Sequence, residues 1–114
     1  MPKRVMLVED EALIAMDVAA ELEDAGHDVL GPFGREDEAL AALERDAPDV
    51  ALLDVNLGEG DSFALADALR AQGAAVIFLS GHGRDFLPER FQRCTLLPKP
   101  IAYPRLLDAL GRTG

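Results

Sequence analysis

The sequence predicts an α/β domain in which five short strands form one parallel sheet and five interleaved helices cover both of its faces. Three observations carry this. Val5-Met6-Leu7-Val8, Val50-Ala51-Leu52-Leu53 and Ala75-Val76-Ile77-Phe78-Leu79 are wholly apolar runs, the pattern of strands buried on both faces. The segments between them repeat apolar residues at helical spacing. Glycine and proline fall at the joints. With 114 residues and no linker, repeat or low-complexity stretch, residues 1–114 read as a single domain.

The elements follow in order. Val5 to Val8 is the first strand. From Glu11 to Ala25 the residues Ala12, Ala15, Met16, Ala19, Ala20 and Leu22 recur on a helical period, and Gly26 stands where a helix stops. His27 to Leu30 is a short second strand closed by Gly31-Pro32. Arg35 to Asp46 is a helix with Ala39, Leu40 and Leu43 inward, ended by Pro48. Val50 to Leu53 is the third strand, Leu57-Gly58-Glu59-Gly60 a loop, and Ser62 to Ala71 a helix ended by Gly73. Ala75 to Leu79 is the fourth strand. Arg84 to Phe91 is a weak helix interrupted by Pro88. Cys94 to Leu97 is the fifth strand. Pro104, well suited to a first helical turn, opens a last helix that runs to Leu110, and Gly111-Arg112-Thr113-Gly114 is expected to fray.

Composition narrows the function. Hydrophobic residues make up 49% and charged residues 28%, enough for a core and for solubility, and the formal net charge is −10. An acidic surface does not recruit the phosphates of nucleic acid or an anionic membrane. Met1-Pro2-Lys3-Arg4 leads into only four apolar residues before Glu9, too few for a signal peptide, and no apolar run approaches membrane-spanning length. The expected location is the cytoplasm. The lone cysteine, Cys94, has no internal disulfide partner and is expected to be an inert core thiol.

In an open parallel sheet, ligands bind beyond the carboxyl ends of the strands. There the first strand offers Glu9-Asp10-Glu11, the third Asp54, the fourth Ser80, and the fifth Pro98-Lys99-Pro100. Each alone is ordinary: an acidic pair after a strand is usually a solvated turn, a single Asp a helix cap, and Ser80-Gly81 a turn. Together, each after a different strand, they place a carboxylate cluster, a hydroxyl and an ammonium at one edge. Crowded carboxylates repel unless a cation joins them. Mg²⁺ suits a site with one or two protein carboxylates and a phosphate oxygen. A carboxylate can also be a nucleophile toward phosphorus, and phosphoryl transfer asks mainly for positioning and charge neutralisation. Asp54, at the end of the most apolar and therefore central strand, is the best nucleophile.

Val8-Glu9-Asp10-Glu11, Leu52-Leu53-Asp54-Val55-Asn56-Leu57, Leu79-Ser80-Gly81 and Pro98-Lys99-Pro100 resemble the motifs of the receiver domain of two-component response regulators, from about Lys3 to Leu110. The resemblance implies a flavodoxin-like (βα)5 fold with strand order 2-1-3-4-5. It implies that Asp54 is the phosphoacceptor, taking a phosphoryl group from a phosphohistidine donor. Mg²⁺ (or Mn²⁺) would be held by the carboxylates of Asp10 and Asp54, by Asn56 through its backbone carbonyl and by Glu9 through a water, while Ser80 and Lys99 contact the phosphoryl group. The implied partners are a sensor histidine kinase, of the HWE or a related type, or a histidine phosphotransfer protein, together with an unidentified downstream protein. Receivers commonly aim this lysine through a cis peptide, so Lys99-Pro100 is expected to be cis.

The chain departs from the common receiver pattern in two places. Leu96 stands where many receivers carry Tyr or Phe, and Gly58 where they carry Pro. Phe78-Leu79-Ser80-Gly81-His82-Gly83 resembles the signature of the FAT GUY receivers, which also lack the aromatic switch. Without a polar tip at residue 96, the switch is expected to run through Gly81 to Phe91, whose glycines and Pro88 make it permissive. His82 is expected to be an exposed loop residue. With only a short tail after the last helix, the expectation is a stand-alone regulator, the alternative being a receiver trimmed from a longer protein. Two other functions are open to the same residues. A small aspartyl-phosphate phosphatase or phosphotransferase would carry a second acid where Asn56 stands and would need more chain to enclose a substrate. An adaptor that has lost its chemistry would not keep Glu9, Asp10, Asp54, Ser80 and Lys99 together. Turnover of a small phosphate ester would mark the first, and failure to label with acetyl phosphate the second.

Overall fold

The structure is a computed structural model that describes residues 2–58 and 60–113; the expectations for Met1, Glu59 and Gly114 lie outside them. The sheet strands are β1 (Arg4–Val8), β2 (Asp28–Phe33), β3 (Val50–Asp54), β4 (Ala75–Ser80) and β5 (Thr95–Pro98). All pair in parallel, in the order β2-β1-β3-β4-β5. The helices are α1 (Ala12–Asp24), α2 (Glu36–Leu43), α3 (Phe63–Ala71) and α4 (Tyr103–Gly111). Side chains alternate along each strand, so Met6, Val8, Ala51, Leu53 and Phe78 pack against α2 and α3. Val5, Leu7, Leu52, Ile77 and Leu79 pack against α1 and α4. Every residue of β3 is buried, as a central strand requires.

The expected fifth helix is absent from the described residues. In its place are two 3-10 turns, Arg84–Phe86 and Glu89–Phe91, because Pro88 has no N–H to donate and disfavours helix in the residue before it. Leu87 and Phe91 anchor this segment in the core, while Phe86 is exposed. The segment is also less loose than its composition suggests. Arg84 Nη1 donates to the Gln92 and Cys94 carbonyls at 2.7 Å. Gln92 Nε2 donates back to the Arg84 and Leu87 carbonyls.

Four further expectations change. The buried face of α1 is Ala15, Val18, Ala19 and Leu22, while Met16 is exposed along with Ala12 and Ala20. The second strand does not stop at Gly31-Pro32 but bulges through this cis pair, pairing Met6 with Leu30 and then Val8 with Phe33. Gly31 is required there: it sits at φ +106°, and a Cβ would lie 2.9 Å from the Leu7 carbonyl oxygen. The loop after Asp54 contains a small antiparallel ribbon, Asn56–Leu57 with Gly60–Asp61. The tail is tied down as far as Thr113, since Lys3 Nζ donates to Thr113 Oγ1 and that hydroxyl donates to the Leu110 carbonyl.

Candidate functional site

Register decides what meets at the carboxyl edge. Val8 pairs with Leu53, Leu53 with Phe78, and Ser80 with Pro98, so Glu9, Asp54, Ser80 and Lys99 all emerge at one level. The Lys99 backbone N–H donates to the Ser80 carbonyl, and the Lys99-Pro100 bond that follows is cis, as expected. From there Lys99 Nζ reaches Glu9 Oε1 at 2.6 Å and Asp54 Oδ2 at 3.1 Å, with Glu11 Oε1 at 3.9 Å. Asp54 Oδ1 also accepts the Asn56 N–H at 3.3 Å.

This cluster is buried at its base and open above. Glu9 and Asp54 are 2% and 6% exposed, whereas Asp10 and Asn56 are exposed. A cavity of about 280 Å³ lies over them, lined by Asp10, Glu11, Asp54, Asn56, Gly81, His82 and Lys99. A larger hollow of about 440 Å³ adjoins Asp10 without reaching Asp54, so the chemistry belongs to the smaller one. Burial, and next the adjacent Asp54 carboxylate, push the Glu9 carboxyl up to about 8; the bond with Lys99 offsets this only in part. A proton on Glu9 removes one of two buried negative charges. Burial works to lower Lys99, but its hydrogen bonds to Glu9 and Asp54 prevail and hold it above the ordinary lysine value.

The donor set fits a hard, oxygen-preferring cation. Carboxylate oxygens of Glu9, Asp10 and Asp54 lie within 4.8 Å of one another. Glu9 Oε2 is buried without a hydrogen-bond partner, an orphan acceptor that a cation or a cation-bound water would satisfy.

The structure therefore brings Glu9, Asp54 and Lys99 into contact, with Asp10 and Asn56 beside them. Ser80 is 2% exposed, and its Oγ accepts the His82 N–H at 2.9 Å; among the described residues no hydrogen bond joins its hydroxyl to Asp54 or Lys99. His82 is exposed as expected, with its ring 4.6 Å from that of Phe86. Cys94 is half-buried just before β5, and burial raises its thiol above the ordinary range, which suits an inert thiol. Sequence reasoning missed one participant. The Gly58 N–H donates to Asp10 Oδ2 at 2.8 Å, and the only trace in the sequence is the glycine where receivers usually carry proline.

Comparison with known proteins places the chain in a family. Residues 5–111 match the response regulator receiver domain. The chain is 31% identical over 113 residues to the transcriptional regulatory protein PdtaR of Mycobacterium tuberculosis, covering 96% of this chain and 55% of that protein. It is 36% identical over 105 residues to the phyllosphere-induced regulator PhyR of Methylorubrum extorquens, covering 89% and 39%. The chain thus spans about half the length of the curated relatives it matches, or less. Among solved structures, SdrG from Sphingomonas melonis Fr1 superimposes with a TM-score of 0.85 at 34% identity, over 98% of this chain and 96% of that one. A CheY-like receiver domain from Methylobacillus flagellatus gives 0.86 over the full length of both, at 23% identity, a likeness of fold. No described helix is long and apolar enough to cross a membrane. The chain belongs to the response regulator receiver domain family of two-component systems.

Proposed function

We propose that residues 1–114 act as one cytoplasmic receiver unit that takes a phosphoryl group onto Asp54, aided by Mg²⁺ (or Mn²⁺), and in doing so switches a protein-binding surface. Receiver domains work with histidine kinases or phosphotransfer proteins. The donor here would be the phosphohistidine of such a partner, and an HWE-type kinase is the reading that the FAT GUY resemblance and the non-aromatic Leu96 favour.

The observation that carries this is the ammonium of Lys99 set between Glu9 Oε1 and Asp54 Oδ2 beneath an open cavity. A carboxylate oxygen of Asp54 attacks phosphorus. The donor's P–N bond breaks, and the imidazole leaves with the electron pair and takes up a proton. Lys99 turns from the Asp54 carboxylate toward the phosphoryl oxygens, and Ser80 Oγ gives a further hydrogen bond once the turn holding it adjusts. Glu9, Asp10, Asp54 and the Asn56 carbonyl would hold the cation, directly or through water. When bound, it would offset negative charge on the transferring group. The phosphatase reading is not favoured: Asn56 stands where such enzymes need an acid, and the cavity is too open to enclose a substrate.

Intact mass after treatment with acetyl phosphate and Mg²⁺ should rise by one phosphoryl group, and Asp54→Asn should abolish the gain. Equal labelling of that variant would overturn the assignment.

A further inference from the structure

Asp10 is an exposed carboxylate at the end of β1, and an exposed carboxylate is free to rotate. Here it is tethered, because the Gly58 N–H donates to its Oδ2 at 2.8 Å. Two observations show that the turn is shaped for this. Gly58 sits at φ +59°, in the left-handed region, yet a Cβ built on it meets nothing within 4 Å. The glycine therefore answers to backbone conformation and not to crowding. The ribbon beside it fixes where the N–H points, since Leu57 pairs with Gly60 and Asn56 with Asp61, and Leu57 is buried. Proline at this position would have neither the donor nor the backbone angle.

Asp10 also contributes a carboxylate oxygen to the cluster within 4.8 Å of Glu9 and Asp54. Holding one oxygen of a carboxylate restricts where the other can go, which is how an outer hydrogen bond prepares a metal ligand. We propose that the turn at Gly58 is a working part of the cation site: its backbone N–H is a positioning donor that pre-sets the Asp10 carboxylate for a divalent cation. This rests on the cation-site reading above and adds to it a residue outside the ligand set.

Mg²⁺ affinity, measured by calorimetry without any phosphodonor, tests this. Parent and variants are first compared by thermal melting in the absence of cation. Gly58→Pro should weaken Mg²⁺ binding by about 10- to 100-fold, the usual cost of losing such a second contact. Gly58→Asn keeps the N–H and tolerates the left-handed region, so it should bind within about threefold of the parent. Gly58→Ala keeps the N–H but strains the turn and should fall between them. If Gly58→Pro does not fold, the order Asn above Ala carries the test. Parental affinity in Gly58→Pro, or in its absence equal affinity of the Ala variant and the parent, would overturn the inference while leaving the cation site standing. Equal losses in the Asn and Pro variants would overturn it too, because the donor would then be irrelevant. No saturable Mg²⁺ binding by the parent would instead remove the cation-site reading and this inference with it.

Discussion

Lys99 and Glu9, 90 positions apart in sequence, meet through an Nζ to Oε1 contact of 2.6 Å inside the carboxylate cluster. The pair is nearly dry, with side-chain exposures of 17% and 0%, so removing the ammonium strands the buried Asp54 carboxylate and leaves Glu9 Oε1 without its donor. Lys99→Met keeps most of the side-chain volume and deletes the charge. It should cost about 1–3 kcal/mol of stability at neutral pH, the penalty of stranding buried polar partners. Denaturant melts measure it. Labelling by acetyl phosphate should slow by about 100-fold, as when one preorganised donor to a transferring group is lost.

The cation-free protein should lose stability as pH rises from about 5 to about 8. The folded-state pKa of Glu9, near 8, lies above its ordinary value of 4.5. Between these values the folded protein holds a proton that the unfolded chain has released, so folding is favoured below the lower value and the benefit fades through the upper one. Glu9→Gln should flatten this slope in melts run in chelator. A parent slope that the variant retains in full would assign the effect to another group.

Asp10→Asn should weaken Mg²⁺ binding and slow phosphorylation without harming the fold. Asp10 is exposed, and its protein contact, the Gly58 N–H, can be accepted by an amide oxygen as well. Removing one of the clustered negative charges relieves repulsion when no cation is present. The melting free energy without Mg²⁺ should therefore stay within about 0.5 kcal/mol of the parent or exceed it. A clearly less stable variant would reveal a structural role for the charge.

Phosphorylation should be felt from Gly81 to Phe91. Leu96 is half-buried and has no polar tip with which to exchange hydrogen bonds. Ser80, in contrast, is joined to this segment directly, its Oγ holding the His82 N–H. Recruiting that hydroxyl to a phosphoryl oxygen breaks or redirects the turn, and the two 3-10 turns behind it are held by Leu87, Phe91, the reciprocal Arg84 and Gln92 contacts and the Arg90–Asp67 pair. Amide exchange with beryllofluoride and Mg²⁺ should change across this stretch as well as beside Asp54. A change confined to Asp54 would sink this route.

By itself the sequence determined the strand-and-helix alternation, the central place of Val50 to Asp54, and the set of polar residues at the strand ends. These depend on local information: an apolar run, a 3.6-residue period, a proline or glycine where a helix must stop. Tertiary structure decided what local signals do not carry. The period of α1 admits either Met16 or Val18 as a core residue, and only the placement of β1 and α4 selects Val18. The reach of β2 past Gly31-Pro32 depends on a neighbouring strand able to accept a bulge. The Glu9–Lys99 and Asp10–Gly58 contacts join residues 90 and 48 positions apart. They exist because strand register sets the height of each end, and because a backbone N–H, which every non-proline residue has, becomes specific only when the chain around it fixes its direction.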